Sequence, residues 1–252
     1  MKNIKANREF LKSGDWDQWR GTETDQKKKI PMPELQKSYS ADAMKLDLIG
    51  PENFTVGNVP FPELISKRKS RRKYTADFLT LEELSYLLWS TQGVKSENKL
   101  FRNVPSGGAR HSFETYLYIG RVKDVKPGLY RYLPLEHKLL FLAEDVNLAE
   151  KVAEACNNQE FVGTGAVTFI WTTIPYRTEW RYDVLSHKVI ALDAGHLCQN
   201  LYLASESINC GACAIGAYNQ EKIDRLIGVD GTDEFTIYIS PVGRVESEAG
   251  ES

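Results

Sequence analysis

The sequence predicts a protein of mixed α and β structure, and two kinds of pattern predict it. Leucines at helical spacing in residues 80–92 and a largely apolar run in residues 186–207 indicate helices. β-rich runs in residues 115–119 and 166–173 indicate strands. The chain has 252 residues, of which 42% are hydrophobic and 26% are charged, a composition that can close one sizeable core. Length alone allows one large domain or two small ones.

The charge of the chain is nearly balanced, with 32 Lys and Arg residues against 34 Asp and Glu residues. This balance argues against a nucleic acid or a membrane surface as partner, because both select large positive patches. The charged start of the chain is not followed by the apolar segment of a signal peptide. The longest apolar stretch, residues 165–171, is far shorter than the about 20 residues of a membrane span. We therefore expect a cytoplasmic protein whose cysteines remain thiols.

The first 60 residues differ from the remainder of the chain. They contain a charged start, Trp16 and Trp19 among polar residues and several prolines, without a sustained apolar period. Such a segment cannot bury enough surface to fold by itself. We expect residues 1–60 to be an arm that packs on the body or on a second subunit, with the two tryptophans as anchors, although a mobile tail is the alternative. Residues 61–252 are expected to form the folded domain.

The first strong helix is predicted at residues 80–92. Thr80 and Glu83 have the spacing of a capping box, and Gly93 supplies a stop. Between them, apolar residues recur at helical spacing: Leu81, Leu84, Leu87 and Leu88. The same reasoning predicts a helix at residues 147–156.

Strands are predicted wherever β-rich runs are bounded by turn residues. Gly120 bounds the first of these runs, and two of the others suggest a hairpin. The predicted strands are residues 115–119, the hairpin of 128–132 with 137–142, residues 166–173 and residues 235–240.

The most informative helix is predicted at residues 186–207. Its apolar residues spread round most of the circumference, which indicates burial on several sides. A central helix of that kind often lies at a subunit interface. The apolar residues are Val189, Ile190, Leu192, Ala194, Leu197, Leu201, Leu203 and Ala204.

Two glycine-containing segments fail as nucleotide-binding loops. Residues 163–168 lack the third glycine of a dinucleotide loop and run into a strand, so a pyrophosphate would meet no helix N-terminus. Residues 211–216 have the outer glycines of a phosphate loop. However, Ala217 and Tyr218 stand where lysine and serine or threonine are required.

Zinc chemistry and serine-hydrolase chemistry are also disfavoured. His196 and Cys198 precede Cys210 and Cys213, but the acidic residue and the proline of a zinc deaminase are missing. Small buried thiols are the better interpretation. No Gly-x-Ser-x-Gly motif is present. Asp193 and His196 lie on one helical face, where capping or packing is the expected role.

A basic cluster at residues 67–74 precedes the first strong helix. Standing alone, such a run favours a solvated surface. In an extended segment, however, side chains alternate, so Arg68, Ser70 and Arg72 would share one face. Two guanidinium groups that bracket a hydroxyl make a good receptor for a phosphorylated, electron-accepting ligand.

Five segments carry a resemblance to a known family. The segment Arg68-x-Ser70-x-Arg72-x-Tyr74 resembles the N-terminal flavin motif of the nitroreductase-like FMN enzymes. The loop at residues 105–111 resembles that of the SagB-type, or azoline-forming, dehydrogenases. The other three agree in order: residues 128–132, residues 193–196 with 199–201, and residues 241–244. Together they cover residues 61–252.

The resemblance implies an α+β, nitroreductase-like fold, with an antiparallel-type sheet flanked by helices. It also implies an intertwined homodimer with two FMN sites at the subunit interface. In such proteins the first motif holds the phosphate, the ribityl chain and the N1/O2 edge of the flavin. A short loop approaches from the other subunit, and a later segment points backbone N–H groups at flavin N5. Carried over, the cofactor-binding residues are Arg68, Ser70, Arg72, Pro105, Ser106, Gly107, Gly108, Gly211 and Ala212, with Arg244 as a phosphate partner and Gln159 as a candidate for the pyrimidine edge.

The activity implied is that of an FMN-dependent oxidoreductase with NADH or NADPH as transient electron donor. Hydride chemistry on a flavin needs an oriented ring and a dry, open face above N5, and it needs no protein nucleophile. A cation such as Arg72 near N1 would stabilise the negative charge of the reduced ring. Because the donor and an organic acceptor must share one flavin face, a ping-pong mechanism is expected.

The substrate is less well defined by the sequence. Azoline-forming relatives use a Lys-Tyr pair eleven residues before the Asp-Ala-Gly-His segment, and Arg181 and Tyr182 stand in that register. Arginine is a poor general base because it stays protonated, whereas Tyr182 could donate or accept a proton. A lid over the flavin is the alternative interpretation of residues 180–182. Dehydrogenation of a modified peptide, and a flavin-binding protein without turnover, therefore remain open as alternative functions.

Overall fold

The computed structural model of the chain describes residues 4–13, 16–95 and 99–246. The helices are α1 (Ile4–Leu11), α2 (Trp16–Gly21), α3 (Phe61–Lys67), α4 (Leu81–Gln92), α5 (Leu148–Ala155), α6 (Glu160–Gly163), α7 (Tyr176–Tyr182), α8 (Ser186–Glu206) and α9 (Gln220–Ile227). The strands are β1 (Lys45–Asp47), β2 (Phe113–Ile119), β3 (Gly128–Leu133), β4 (Lys138–Ala143), β5 (Val167–Thr173), β6 (Cys210–Ala212) and β7 (Phe235–Arg244).

The strands form one antiparallel sheet in the order β1-β4-β3-β2-β5-β7-β6. The adjacent strands β2 and β5 are buried along their whole length. In their register Leu117 pairs with Phe169, and Tyr116 pairs with Ile170. The first pair belongs to one hydrophobic core and the second pair to the other. This alternation follows from the two-residue period of a strand, so the sheet separates two cores.

Helices cover both faces of the sheet. Residues of α4 and α8, including Leu84, Leu88, Leu197 and Leu201, fill the core on one face. Residues of α5, α6 and α9 fill the core on the other face. In the described residues, no helix combines the length and the apolar character that a membrane crossing requires.

The elements predicted from strong local patterns are confirmed. The hydroxyl of Thr80 accepts the Glu83 N–H at 3.2 Å, and the Glu83 carboxylate accepts the Thr80 N–H at 2.8 Å, which is the predicted capping box. The helix expected at residues 186–207 is α8. Its expected burial on several sides holds in part, since Leu192 is 57% exposed. That residue lies beside α1 in a surface cavity.

The segment before residue 60 is attached to the body by buried polar groups. Arg102 donates to the carbonyl of Leu35 at 2.7 Å, and Arg131 donates to the carbonyl of Lys37 at 3.0 Å. The carboxylate of Glu114 accepts the Lys37 N–H at 2.8 Å. These three charged side chains are at most 4% exposed. The segment then continues into β1, which pairs with β4. A domain boundary near residue 60 stays a prediction.

Candidate functional site

Most of the predicted site residues fall into two clusters along α8. We call the first the cation cluster, and it consists of Arg68, Ser70, Arg72, Tyr202, Gly211, Ala212 and Cys213. We call the second the loop cluster, and it consists of Pro105, Ser106, Gly107, Gly108, Arg181, Tyr182 and Asp193. Asp193 and Tyr202 mark the two clusters on the helix and are nine residues apart. This separation is about 13.5 Å at the helical rise per residue.

Tyr202 lies at the centre of the cation cluster. Its hydroxyl accepts the N–H of Ala214 at 2.7 Å and lies 2.9 Å from the Ser70 hydroxyl oxygen. The guanidinium of Arg68 lies 5.4 Å from the centroid of the Tyr202 ring, within the range of a cation–π interaction. Ser70 and Arg72 are exposed, and Arg68 is half-buried. Tyr202 was not predicted as a site residue, because nothing in the local pattern of α8 indicates these distant partners.

The backbone beside the cation cluster is ordered by strand-like pairing. Ser70 forms a parallel bridge with Ala212, and the Arg71 N–H donates to the Ala212 carbonyl at 2.9 Å. Gly211 lies opposite Gly243 of β7. Strand β6 therefore has neighbours on both sides. The expectation that Gly211 and Ala212 point N–H groups at a flavin stays a prediction.

Position 211 has no room for a side chain, so it requires glycine. A Cβ atom at this position would lie 2.5 Å from Arg71 Cδ, too close for a non-bonded contact. The missing side chain lets Arg71 reach Glu206, where its Nε and Nη2 donate to the two carboxylate oxygens at 3.1 and 3.2 Å. This ion pair ties the segment before α4 to the end of α8.

Cys213 is a buried thiol next to Ser70 and Arg72. The residue is 2% exposed. Burial raises the pKa of its thiol, while the charge of Arg72 and hydrogen bonds with Ser70 and Arg72 oppose the rise. A thiol with a raised pKa stays protonated at neutral pH and is a poor nucleophile. All four cysteines are buried and free.

Asp193 holds the loop cluster together. Its carboxylate accepts the Gly107 N–H at 3.0 Å, and the residue is 5% exposed. Burial raises the pKa of Asp193, and hydrogen bonds from Ser106 and Gly107 oppose that rise. The expected role in capping or packing inside the helix is therefore wrong for Asp193, which binds a loop far away in sequence. Ser106 also accepts the His111 N–H at 2.9 Å, which closes the loop.

The two glycines of this loop are required by contacts within the chain. A Cβ at Gly107 would lie 2.3 Å from Val189 Cγ1. Gly108 has a φ of +59°, and a Cβ there would lie 2.7 Å from both Arg181 Cδ and the Tyr182 hydroxyl oxygen. The loop therefore packs directly on α7 and α8. The predicted pair of catalytic residues thus lies beside the predicted loop.

The arm covers Tyr182. The centroid of the Trp16 ring lies 6.0 Å from that of Tyr182, and the centroid of the Trp19 ring lies 5.9 Å from it. The two indole rings also contact each other, at 5.5 Å. The guanidinium of Arg181 lies 5.5 Å from the centroid of the same Tyr182 ring. Both tryptophans, predicted as anchors, contact the body at this position.

Two predicted site residues have partners outside both clusters. Arg244 donates to the Ile208 carbonyl at 2.5 Å and to the Glu83 carboxylate at 2.5 Å, so its charge is paired with a buried carboxylate. Gln159 donates through its amide nitrogen to the carbonyls of Cys156 and Ala217, at 2.8 and 3.1 Å. In this chain, Arg244 supports the start of α4, and Gln159 joins α5 to the segment before α9.

The chain is similar to known proteins over most of its length. The family model described as the nitroreductase family matches residues 65–244, which contain all of the cation cluster and the loop cluster. The chain belongs to the nitroreductase family. A solved structure of a nitroreductase from Ralstonia eutropha superposes with a TM-score of 0.69, at 24% identity, over 87% of this chain and 99% of that chain. The predicted α+β, nitroreductase-like fold is confirmed.

Two curated relatives extend the comparison. A nitroreductase of Methanocaldococcus jannaschii is 29% identical over 189 residues, which are 75% of this chain and 93% of that protein. The trifolitoxin-processing protein TfxB of Rhizobium leguminosarum bv. trifolii is 31% identical over 161 residues, 61% of this chain and 43% of TfxB. The match thus spans less than half of TfxB. The similarity to a trifolitoxin-processing protein is consistent with the SagB-type subgroup, and the family supports an FMN-type oxidoreductase.

The chemistry of the cation cluster fits the cofactor expected for a nitroreductase. FMN carries a phosphate and a polar ring edge. Arg68, Ser70 and Arg72 offer two guanidinium groups and a hydroxyl, donors that suit a phosphate. Two of the three are exposed, so a ligand can reach them. The cation cluster contains no carboxylate that would repel an anion bound at Arg72. The guanidinium of Arg72 lies 5.8 Å from the centroid of the Phe161 ring.

Proposed function

We propose that this protein is an FMN-dependent oxidoreductase that transfers hydride from NADH or NADPH to an organic acceptor by a ping-pong mechanism. The observation that supports it most is the cation cluster within a nitroreductase-family domain, with Arg68 and Ser70 both fixed on Tyr202. When bound, FMN would supply the hydride chemistry. The chain's residues would bind, orient and shield it.

We further propose a homodimer with composite sites. The cation cluster and the loop cluster lie about 13.5 Å apart along α8. The family resemblance, in which a short loop approaches the flavin from the other subunit, favours sites that combine the first cluster of one chain with the second cluster of its partner. In each site, Arg68, Ser70 and Arg72 would bind the phosphorylated ligand. The loop at Gly107 and Gly108, fixed by Asp193, would close the site from the second chain.

The proposal is tested with purified protein. A flavin absorption spectrum that is bleached anaerobically by NADH or NADPH, and restored by an acceptor such as a quinone, is the expected result. Steady-state plots at several acceptor concentrations should give parallel lines. A protein that binds no FMN would overturn the proposal, and intersecting lines would remove the ping-pong mechanism.

The similarity to TfxB favours one second candidate, an azoline dehydrogenase that acts on a modified peptide. Tyr182, next to Gly108 in the loop cluster, is the residue that would exchange the proton. Arg181 stands where the relatives carry lysine, and its permanent charge suits binding better than proton transfer. Oxidation of a synthetic thiazoline peptide by the FMN-loaded protein tests this candidate directly.

A further inference from the structure

Tyr202 joins three parts of the cation cluster. Its hydroxyl oxygen accepts the Ala214 N–H at 2.7 Å. The same oxygen lies 2.9 Å from the hydroxyl oxygen of Ser70. The face of its ring lies under the guanidinium of Arg68, at 5.4 Å. One side chain of α8 thus contacts two predicted cofactor-binding residues and the backbone after β6.

The atoms involved fix the direction of one of these hydrogen bonds, whereas in the Tyr202–Ser70 pair either hydroxyl can donate. A backbone N–H can only donate, so Ala214 uses an acceptor position of the Tyr202 oxygen. In the arrangement that we infer, the phenolic proton is donated to the neighbouring Ser70 Oγ, 2.9 Å away. With Ser70 Oγ accepting from tyrosine, the serine's own proton is directed elsewhere.

The surroundings indicate where that serine proton goes. Ser70 is exposed, and the protein group next to it is the sulfur of Cys213. A thiol is a weak acceptor. An oxygen or ring nitrogen of a bound ligand would be a much better one. The chain of donors therefore runs from Ala214 through Tyr202 and Ser70 toward the ligand.

We propose that Tyr202 is a positioning residue of the cofactor site, which fixes Ser70 as a hydrogen-bond donor to the bound flavin and holds Arg68 beside it. This inference rests on the proposed FMN function. It assigns Tyr202 no chemistry of its own. The residue acts through Ser70, so removing its hydroxyl should matter only when Ser70 is present.

A double-mutant cycle tests this dependence. Apoprotein of the wild type, Tyr202→Phe, Ser70→Ala and the double variant is titrated with FMN, and binding is followed by the loss of flavin fluorescence. Each single variant should raise the Kd about fivefold to tenfold, because one net hydrogen bond is worth about 1 to 1.5 kcal/mol. The double variant should bind no more weakly than Ser70→Ala. Tyr130→Phe, which removes a hydroxyl bonded to the Lys126 carbonyl at 2.7 Å far from this cluster, is the matched control and should leave the Kd unchanged.

A second substitution keeps the test valid if Tyr202→Phe folds poorly. Replacing Tyr202 with 3-fluorotyrosine preserves the shape of the side chain and makes the phenol a stronger hydrogen-bond donor. At slightly acidic pH this replacement should lower the Kd for FMN when Ser70 is present. It should not lower the Kd in the Ser70→Ala background. If the two substitutions raise the Kd independently, so that their effects multiply in the double variant, Tyr202 does not act through Ser70. An unchanged Kd for Tyr202→Phe would overturn the proposal as well. A wild type that binds no FMN would overturn the proposed function itself.

Discussion

Trp16 packs edge-on against Tyr182, with ring centroids 6.0 Å apart and an angle of 75° between the rings. The contact brings the N-terminal arm onto the residue predicted to handle a proton. Trp19 packs on the same ring. The arm and the loop at Gly108 both contact Tyr182, so two separate parts of the chain surround this side chain.

Replacing Tyr182 with Phe should separate the two candidate functions. Reduction of bound FMN by NADH or NADPH needs no proton from this residue, so its rate should stay within about twofold. Azoline oxidation depends on general acid–base catalysis and should slow by about 10²-fold to 10⁴-fold. Stopped-flow absorbance measures the first rate, and mass spectrometry of the peptide measures the second.

Tyr176→Phe is the matched control for this experiment. It removes a tyrosine hydroxyl from the same helix, where that hydroxyl donates to Asp25 at 2.9 Å on an exposed surface. Both rates should remain unchanged. Loss of nicotinamide-dependent reduction in Tyr182→Phe would contradict a role limited to proton transfer.

Arg72→Ala should weaken FMN binding. Hydrogen bonds to charged groups are worth about 1.5 to 3 kcal/mol, so the Kd should rise by about tenfold to a hundredfold. If the guanidinium contacts the phosphate, the Kd should rise more for FMN than for riboflavin, which has no phosphate. Arg225→Ala removes a cation from the exposed face of α9 and serves as control. Equal losses for both ligands would place Arg72 away from the phosphate.

Gly108→Ala should destabilise the protein. The left-handed φ of +59° and the 2.7 Å approach to the Tyr182 hydroxyl make any side chain costly at this position. Strained backbone of this kind costs about 1 to 3 kcal/mol. Urea denaturation of the apoprotein measures the loss. In Gly216→Ala, a Cβ would meet nothing within 4 Å, so the free energy of unfolding should change little.

His111 should make the protein less stable as the pH falls. Burial, and then the charge of Arg102, lower the pKa of His111 from 6.5 to about 3. Between these values the unfolded chain binds a proton that the folded chain does not, so the free energy of unfolding falls with falling pH. Each pH unit inside this window costs about 1.4 kcal/mol.

The variant His111→Asn should flatten this dependence. Asparagine tolerates the positive φ of 47° at this position and does not titrate. Urea denaturation at several pH values below 6.5 should give a slope lower by about 1 kcal/mol per pH unit. His187→Gln changes an exposed histidine and should leave the slope as it is. An unchanged slope for His111→Asn would show that other groups dominate, of which His137, with a pKa also lowered by burial, is the first candidate.

The parts of the fold that the sequence predicted are those with strong local signals. The capping residues Thr80 and Glu83 and the long apolar pattern of α8 determine two helices from neighbours within a few positions. Strand β6 was missed because the sequence Cys-Gly-Ala has no β-rich pattern. It forms through pairing with β7 and with the segment around Ser70, and both partners are distant in sequence.

The candidate site shows the same limit. The motif of Arg68, Ser70 and Arg72 could be recognised because its residues are close in sequence and chemically distinctive. Tyr202 and Asp193 were not assigned to the site, since their partners lie in other elements of the fold. Asp193, for example, bonds to the N–H of a residue 86 positions earlier. The spacing of residues along the sequence does not indicate such contacts.

The attachment of the early segment through Arg102, Arg131 and Glu114 has a practical consequence. In a shortened protein that starts at residue 61, these three buried charged side chains would lose their main-chain partners. Strand β4 would become an exposed edge strand. An exposed edge strand has unpaired backbone N–H and C=O groups, which can pair with a strand of another molecule and cause aggregation. Truncation there should therefore give insoluble aggregates instead of a smaller enzyme, and expression trials should keep the chain from the first tryptophan onward.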